Sequence, residues 1–569
     1  MRSSISSQLM AVLIDDIRRQ LGLGAVTSSE NSPVEETRAA LDQEMEIVRL
    51  ALKAATTHMA EQLSRLQFQR NQLASTHRLP IEVMSTIFYF AITCEGEPFR
   101  SLLNLSSVCR LWRDIALGCP SLWADLRMLP PALADLFIIR SKAAPLKVGL
   151  VFNEDAGAHH IRLSEYVSPV LPHVDRWSVC AFDFRQLVSV RRIMSFLRYA
   201  SVPAPQLEAL VLKRGWSDFI WSTDQAQTID QLFGGVTPRL RAVTLHAIFI
   251  PLTSSIFSGL TRLNLEFIEY TEPDSIHQLL HVFERSPQLE YISWDLKFSF
   301  PEPITPESSV VPRISLAQLQ DLDMVAQGPL QWVPRHILAR LVLPSSCSLS
   351  IFGEVEAGRD LSHLLPQYSS TQPNLPGLPT TTKLSIKLED YIVCRLTGRS
   401  AEMSWHASLY AAQNDDLLSK RLVSNLGNIF PMPRLEEVVL WWCGVEYPTL
   451  FSVVADFFRR HPNIKDLCLV ACPEDFMVDL IVTPRGNLYP KLERLRICQC
   501  SCDDSVLIEI VKSRTRVGPD APSSDAAIKL QHLSLHPRSS FAESTILTLR
   551  EYVKVDVTDD EVPDDRRMN

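Results

Sequence analysis

Three stretches toward the C-terminal end decide how the chain folds: PRLEEVVL (433–440), PNIKDLCL (462–469) and PKLERLRI (490–497). Each opens on proline and carries apolar side chains at its third, sixth and eighth positions. The closing alternation is that of a strand with one buried face, because successive side chains on a strand point to opposite sides. Upstream the phrase returns as PQLEALVL (205–212), PRLRAVTL (238–245) and PQLEYISW (287–294). Variants without the proline are LTRLNL (260–265), LQDLDM (319–324), LARLVL (338–343) and LQHLSL (530–535). Their leading leucines recur mostly every ~20 to 33 residues, a spacing that marks a repeat architecture. Helical patterns lie between them: SIHQLLHVFERSP (275–287), YPTLFSVVADFFRRHP (447–462) and DDSVLIEIVKSR (503–514), each with apolar residues on one face.

A strand and then a helix at each repeat predicts an α/β fold in which units stack in one dimension. Residues 127–556 are expected to form a solenoid of leucine-rich repeats with a curved parallel sheet. Three residues beyond the strand ends stand Cys443, Cys472 and Cys500, 29 and 28 apart. That position is an inward corner that a small residue fits. The corner role competes with a metal reading of Cys498-x-Cys500-x-Cys502, against which the alternation of strand faces and the lack of further spaced ligands both count. The register fails near 344–382, a Ser/Thr/Pro-rich stretch read as a loop insertion, and 383–432 fits it poorly. The tail 557–569 is acidic and is expected to be disordered.

At the other end, residues 1–31 are weakly patterned and are read as a flexible N-terminus. Ser32-Pro33-Val34-Glu35 has the form of a helix start, with a capping serine, a proline at the first turn and a glutamate closing the box. A long amphipathic, coiled-coil-like helix over 32–76 follows, its stripe formed by Leu41, Met45, Val48, Leu52, Ala55, Met59, Leu63, Leu66 and Leu73. Such a stripe suits either a dimerising coiled coil or a helix packed on its own chain. Beyond it, HRLPIEVMSTIFYFA, FRSLLNLSSVCRLWRDIAL and a short segment from Pro120 predict three helices over 77–126. They hold more apolar residues than so small a core can bury, so a partner surface is expected.

Leu79-Pro80-x-Glu82-Val83…Ile87-Phe88, followed by Leu102…Leu105…Val108-Cys109-Arg110-x-Trp112-Arg113 and Pro120-x-Leu122-Trp123, resembles an F-box. The resemblance implies docking to the Skp adaptor of a Skp–cullin–F-box ubiquitin ligase. On that likeness the adaptor contacts are Leu79, Pro80, Glu82, Val83, Ile87, Phe88, Leu105, Val108 and Trp112, although Val108 and Trp112 could equally hold the three helices together. With repeats behind it, the module is similar to fungal-type F-box proteins with leucine-rich repeats. The function so implied is substrate recognition in that ligase, with the repeats gripping a protein substrate and a cullin–RING machinery reached through the adaptor. The alternative is a scaffold that binds the adaptor outside a working ligase. Among outward strand positions, Tyr291, Trp441, Arg494 and Arg496 lead as substrate contacts, because aromatic and arginine side chains anchor interfaces.

Composition narrows the rest. Lys plus Arg number 56 against 65 Asp plus Glu in 569 residues, a net charge of −9 that speaks against a nucleic-acid partner. No apolar run approaches a membrane span, and twelve cysteines are too sparse for a secreted disulfide framework, so an intracellular protein of the nucleus or cytosol is expected. There is no phosphate loop, dinucleotide fingerprint, HExxH or Gly-x-Ser-x-Gly elbow. His277 and His281 sit one helical turn apart without a third ligand. The chain reads as a binder, with no catalytic residue, metal or cofactor, rather than an enzyme.

Overall fold

The computed structural model describes residues 2–20, 34–93, 98–127, 129–151, 163–184, 201–214, 232–298, 313–326, 332–366, 374–389, 393–411, 417–429, 432–443, 448–483, 487–500, 502–515, 529–536 and 541–557. The chain divides into two compact units, one of Met1–Asp125 with Leu136–Ala144, the other of Leu126–Asp135 with Pro145–Asn569.

The first unit is helical. Where a flexible N-terminus was expected, a 19-residue helix, α1 (Arg2–Gln20), packs on α2 (Val34–Gln72). The run Leu9–Ile14 is part of a helical stripe: Met10, Leu13, Ile14 and Ile17 are all partly buried. Arg18 of α1 forms an ion pair with Glu44 of α2. Ile47 and Ala51, on the same side of α2 as Glu44, are its buried apolar residues. Then come a 3-10 turn (Ser75–Arg78), α3 (Ile81–Thr93), α4 (Pro98–Val108), α5 (Arg110–Gly118) and a second 3-10 turn (Pro120–Trp123). A further helix, α6 (Pro131–Ser141), runs across the division between the units.

The second unit is built on one large sheet. Its first strands are β1 (Leu146–Val151), β2 (Trp177–Phe184), β3 (Ala209–Arg214), β4 (Ala242–His246), β5 (Arg262–Tyr270) and β6 (Tyr291–Phe298). Next are β7 (Ile314–Ser315), β8 (Asp321–Ala326), β9 (Leu341–Val342) and β10 (Ser348–Val355). Three strands then run up and down: β11 (Lys383–Glu389), β12 (Val393–Arg399) and β13 (Ser404–Ala411). The last five are β14 (Glu437–Cys443), β15 (Asp466–Val470), β16 (Arg494–Cys498), β17 (His532–Leu535) and β18 (Lys554–Val557). Sixteen of them form a single sheet, ordered β1-β2-β3-β4-β5-β6-β8-β10-β13-β12-β11-β14-β15-β16-β17-β18.

The repeated phrase explains the rungs. Its proline stands second in a four-residue turn: Leu207 donates to the Ala204 carbonyl, Leu240 to Thr237, Leu289 to Ser286, Leu435 to Met432 and Leu492 to Tyr489. Proline, with φ fixed near −65°, suits that second position and needs no donor there. The residue after each leucine then binds back to the preceding rung, as Glu208 to Ser178, Glu290 to Thr261 and Glu493 to Lys465. The leucine itself is buried, and strand residues alternate buried and partly exposed from there on. At the ends of β15 and β16, Ala471 and Gln499 take a left-handed backbone (φ 52° and 54°) that turns the chain inward. Cys472 and Cys500 follow at the buried corner, where the Cys472 amide donates to the Cys500 sulfur at 3.3 Å. The Cys443 side chain lies outside the described residues.

Three expectations are corrected. Residues 344–382 are not a plain loop: they contain β10, a full member of the sheet, and a short helix (Leu361–Leu364) capped by Asp360, which accepts from the Ser362 amide at 2.8 Å. The misfit came from the missing leucine phrase, since β10 is entered through Cys347 and opens on Ser-Leu-Ser, which reads as polar. LARLVL supplies not a rung but β9, which pairs with β7 in a separate two-stranded sheet. Nor is the main sheet wholly parallel. β12 runs antiparallel to both β11 and β13, while β13 is parallel to β10 and β11 to β14. The tail beyond Val557 lies outside the described residues. Among those residues, no helix is long and apolar enough to cross a membrane.

Candidate functional site

In the helical unit, the backbone amide of Met84 donates to the Pro80 carbonyl, so the Leu79-Pro80 turn opens α3, and Glu82 places a carboxylate in its first turn. The helix is apolar on two sides. Met84, Phe88 and Ile92 point inward and are buried with Leu102, Ile115 and Trp123. Phe88 packs against Trp112 with ring centroids 5.1 Å apart and the rings tilted by 55°. Cys109 caps α5, its sulfur accepting from the Trp112 amide, and the Trp123 indole donates to the Ala116 carbonyl at 2.7 Å. The Arg140 guanidinium lies over the same indole.

The second side of α3 is open. Val83, Ile87 and Phe90, spaced as one stripe, are 43%, 46% and 61% exposed, with Leu79 and Ile81 beside them. Val108 is exposed too, Pro80 and Glu82 lie at the surface, and Leu105 and Trp112 are half-buried. Phe88, expected on the docking face, belongs to the core. Ile81, Tyr89 and Phe90 were missed, because a single-stripe reading of α3 cannot sort a helix with two apolar sides. Isolated exposed apolar residues mean little, but a contiguous patch on a small helical unit marks an interaction surface.

Residues 76–128 match the F-box-like family model. That domain is a minor part of the chain. Among solved structures, the chain is similar to one in the crystal structure of the Rad7 and Elc1 complex in yeast, at 13% identity and a TM-score of 0.20, over 89% of this chain and 98% of that one. So low a score shows no shared geometry to argue from. No curated protein matches the chain.

Apart from the F-box-like domain, one sheet face carries the remaining candidates. The strand register sets Tyr291, Asp321, Ser348, Ser404, Arg399, Lys383, Glu437, Asp466 and Arg494 along a single row. Eight strand spacings of ~4.8 Å part Tyr291 from Arg494, so the four expected substrate contacts do not form one site. Arg494, Arg496 and Trp441 do stand near each other. Arg494 pairs with Asp466 at 2.8 Å, and Arg496 reaches Glu437 at 3.1 Å and Asp466 at 3.3 Å. Burial alone would raise Glu437, but the Lys383 ammonium and the Arg496 guanidinium outweigh it and hold that carboxyl below its usual range. Trp441, expected to stand free, packs on an apolar island of Val439, Cys468, Val470 and Cys498. Cys498 thus lies on this face while Cys500 lies in the corner, so the two do not converge. Among the described residues no group of three or more metal-ligating side chains occurs.

Toward β5 and β6 the same face is acidic. Tyr291 donates to Asp323 at 3.3 Å, and Asn264 to Glu266 at 2.8 Å. Burial, and then the neighbouring Glu266 carboxylate, pushes Asp295 up to about 6. Its unfolded value is about 3.9, so between roughly pH 4 and 6 the unfolded chain gives up this proton before the folded one does. Stability falls as pH rises through that window and stays reduced above it. Asp295→Asn is therefore expected to melt higher than the parent at pH 7.5 and equally at pH 4 in scanning calorimetry. An equal gain at both pH values would assign the effect to packing instead.

Proposed function

We propose that the chain is the substrate-recognition subunit of a Skp–cullin–F-box ubiquitin ligase. The F-box-like domain docks a Skp-type adaptor, and through it a cullin–RING module. The second unit, which we read as a leucine-rich-repeat solenoid, holds a protein substrate on its sheet. In this reading the chain performs no chemistry. It raises the concentration of substrate beside the ligase's catalytic machinery, as tethering does in general. The observation that carries the proposal is the open apolar stripe of α3 within the matched F-box-like segment. Support for the solenoid comes from the recurrence of the proline turn at rung after rung.

The test is co-expression of the full chain with adaptor and cullin. Adaptor and cullin are expected to co-purify with the chain, and Leu79→Ala with Pro80→Ala to diminish both while leaving helicity unchanged. Recovery of adaptor without cullin would favour an interaction scaffold, and no adaptor at all would reject the assignment.

A further inference from the structure

The stripe of α2 from Leu41 to Leu66 is left open by its own unit. Its seven large apolar side chains are between 41% and 66% exposed. At 100° per residue they fall within a band about 60° wide, beside the side of α2 that holds Glu44, Ile47 and Ala51. The band is ~38 Å long and about one helix width across, some 400 Å² of contiguous apolar surface, a size at which an exposed patch is often functional.

Charge says what covers it. Residues 34–49 of α2 hold five acids (Glu35, Glu36, Asp42, Glu44 and Glu46) against Arg38 and Arg49, a net −3. Residues 50–72 hold Lys53, Arg65 and Arg70 against Glu61, a net +2. A helix acidic in one half and basic in the other repels a parallel copy and attracts an antiparallel one. We propose that two copies of this chain pair through α2 in antiparallel fashion about a two-fold axis near residues 53–54. That alignment seats Leu41 opposite the partner's Leu66 and Val48 opposite the partner's Met59. It also brings Asp42 level with the partner's Arg65. A two-fold contact is self-complementary, so every pairing is made twice. The pairing does not depend on the ligase reading and would hold if that reading failed.

Light scattering on the full chain at ~10 µM, a working concentration for standard-size interfaces, is expected to give twice the chain mass of 64.2 kDa. Leu52→Glu with Met59→Glu should return it to the monomer mass with the helical signal kept, since both side chains are exposed without the partner. A monomeric parent, or a dimer that survives the double substitution, overturns the proposal. Direction is read by mixing Leu41→Cys and Leu66→Cys chains under mild oxidation and sequencing the linked peptides. Links between 41 and 66 support the antiparallel pairing, and links of 41 to 41 overturn it.

Discussion

Val83→Asp combined with Ile87→Asp should abolish adaptor binding while leaving the melting curve unchanged. Both side chains are nearly half exposed on the outer stripe of α3, so a carboxylate there meets water in the free chain and costs little. In the complex each would be an unpaired charge in a desolvated apolar contact. Loss of two interface anchors, at about 2 kcal/mol or more each, amounts to close to a thousandfold in affinity. Phe88→Ala is the contrasting control. Phe88 is 1% exposed and packs against Trp112, so its loss removes binding by unfolding the domain, at about 3–5 kcal/mol. Calorimetric titration of purified adaptor together with circular dichroism separates the two. A folded Val83→Asp, Ile87→Asp chain that still binds with parental affinity would remove α3 from the interface.

The second large effect lies in the middle of the sheet. Gly398 of β12 stands opposite Trp405 of β13. A Cβ built on Gly398 would lie 2.0 Å from the indole nitrogen and 2.1 Å from the adjoining ring carbon. The indole cannot swing away freely: it is buried and donates to the Thr381 hydroxyl at 3.1 Å. Gly398→Ala therefore forces the ring out of its site, an overpacking cost of about 3 kcal/mol. Trp405→Leu also destabilises alone, by leaving space. Together the two changes should cost at least ~1 kcal/mol less than their separate effects, since the small residue makes room for the methyl. Urea unfolding of the four chains measures this, and strict additivity would mean that ring and methyl never compete.

Much of this architecture could be read beforehand, and the failures have physical causes. The rungs were legible because proline, leucine and alternation act within eight residues, where local geometry decides. β10 and the up-and-down trio were not, because nothing in LSIKL or CSLSIF states which neighbour a strand will bond or in which direction. Register between distant segments is a tertiary choice. In the helical unit the Leu79-Pro80 turn and the short segment opened by Pro120 follow from sequence spacing, whereas the cap at Cys109 and the outward role of Phe90 depend on how the helices pack, with Phe88 filling the core. Helix α1 was missed because its stripe of four apolar residues gains its meaning from α2, which it covers.

The trio β11–β13 has a bearing on how the second unit can be taken apart. The chain leaves β10, lays down β11 at the far side of the gap, and returns through β12 to place β13 against β10, the segment it left. A cut in the tight turn at 400–403, where Ser400 donates to the Met403 carbonyl, would not part the unit into two neighbouring blocks. The fragment beginning at Ser404 would have to slip its first strand into a slot walled on both sides by the other fragment, β10 on one flank and β12 on the other. Halves divided there are interlocked like clasped hands, and their reassembly from separate polypeptides would serve as a reporter that the whole sheet, from either end, has formed.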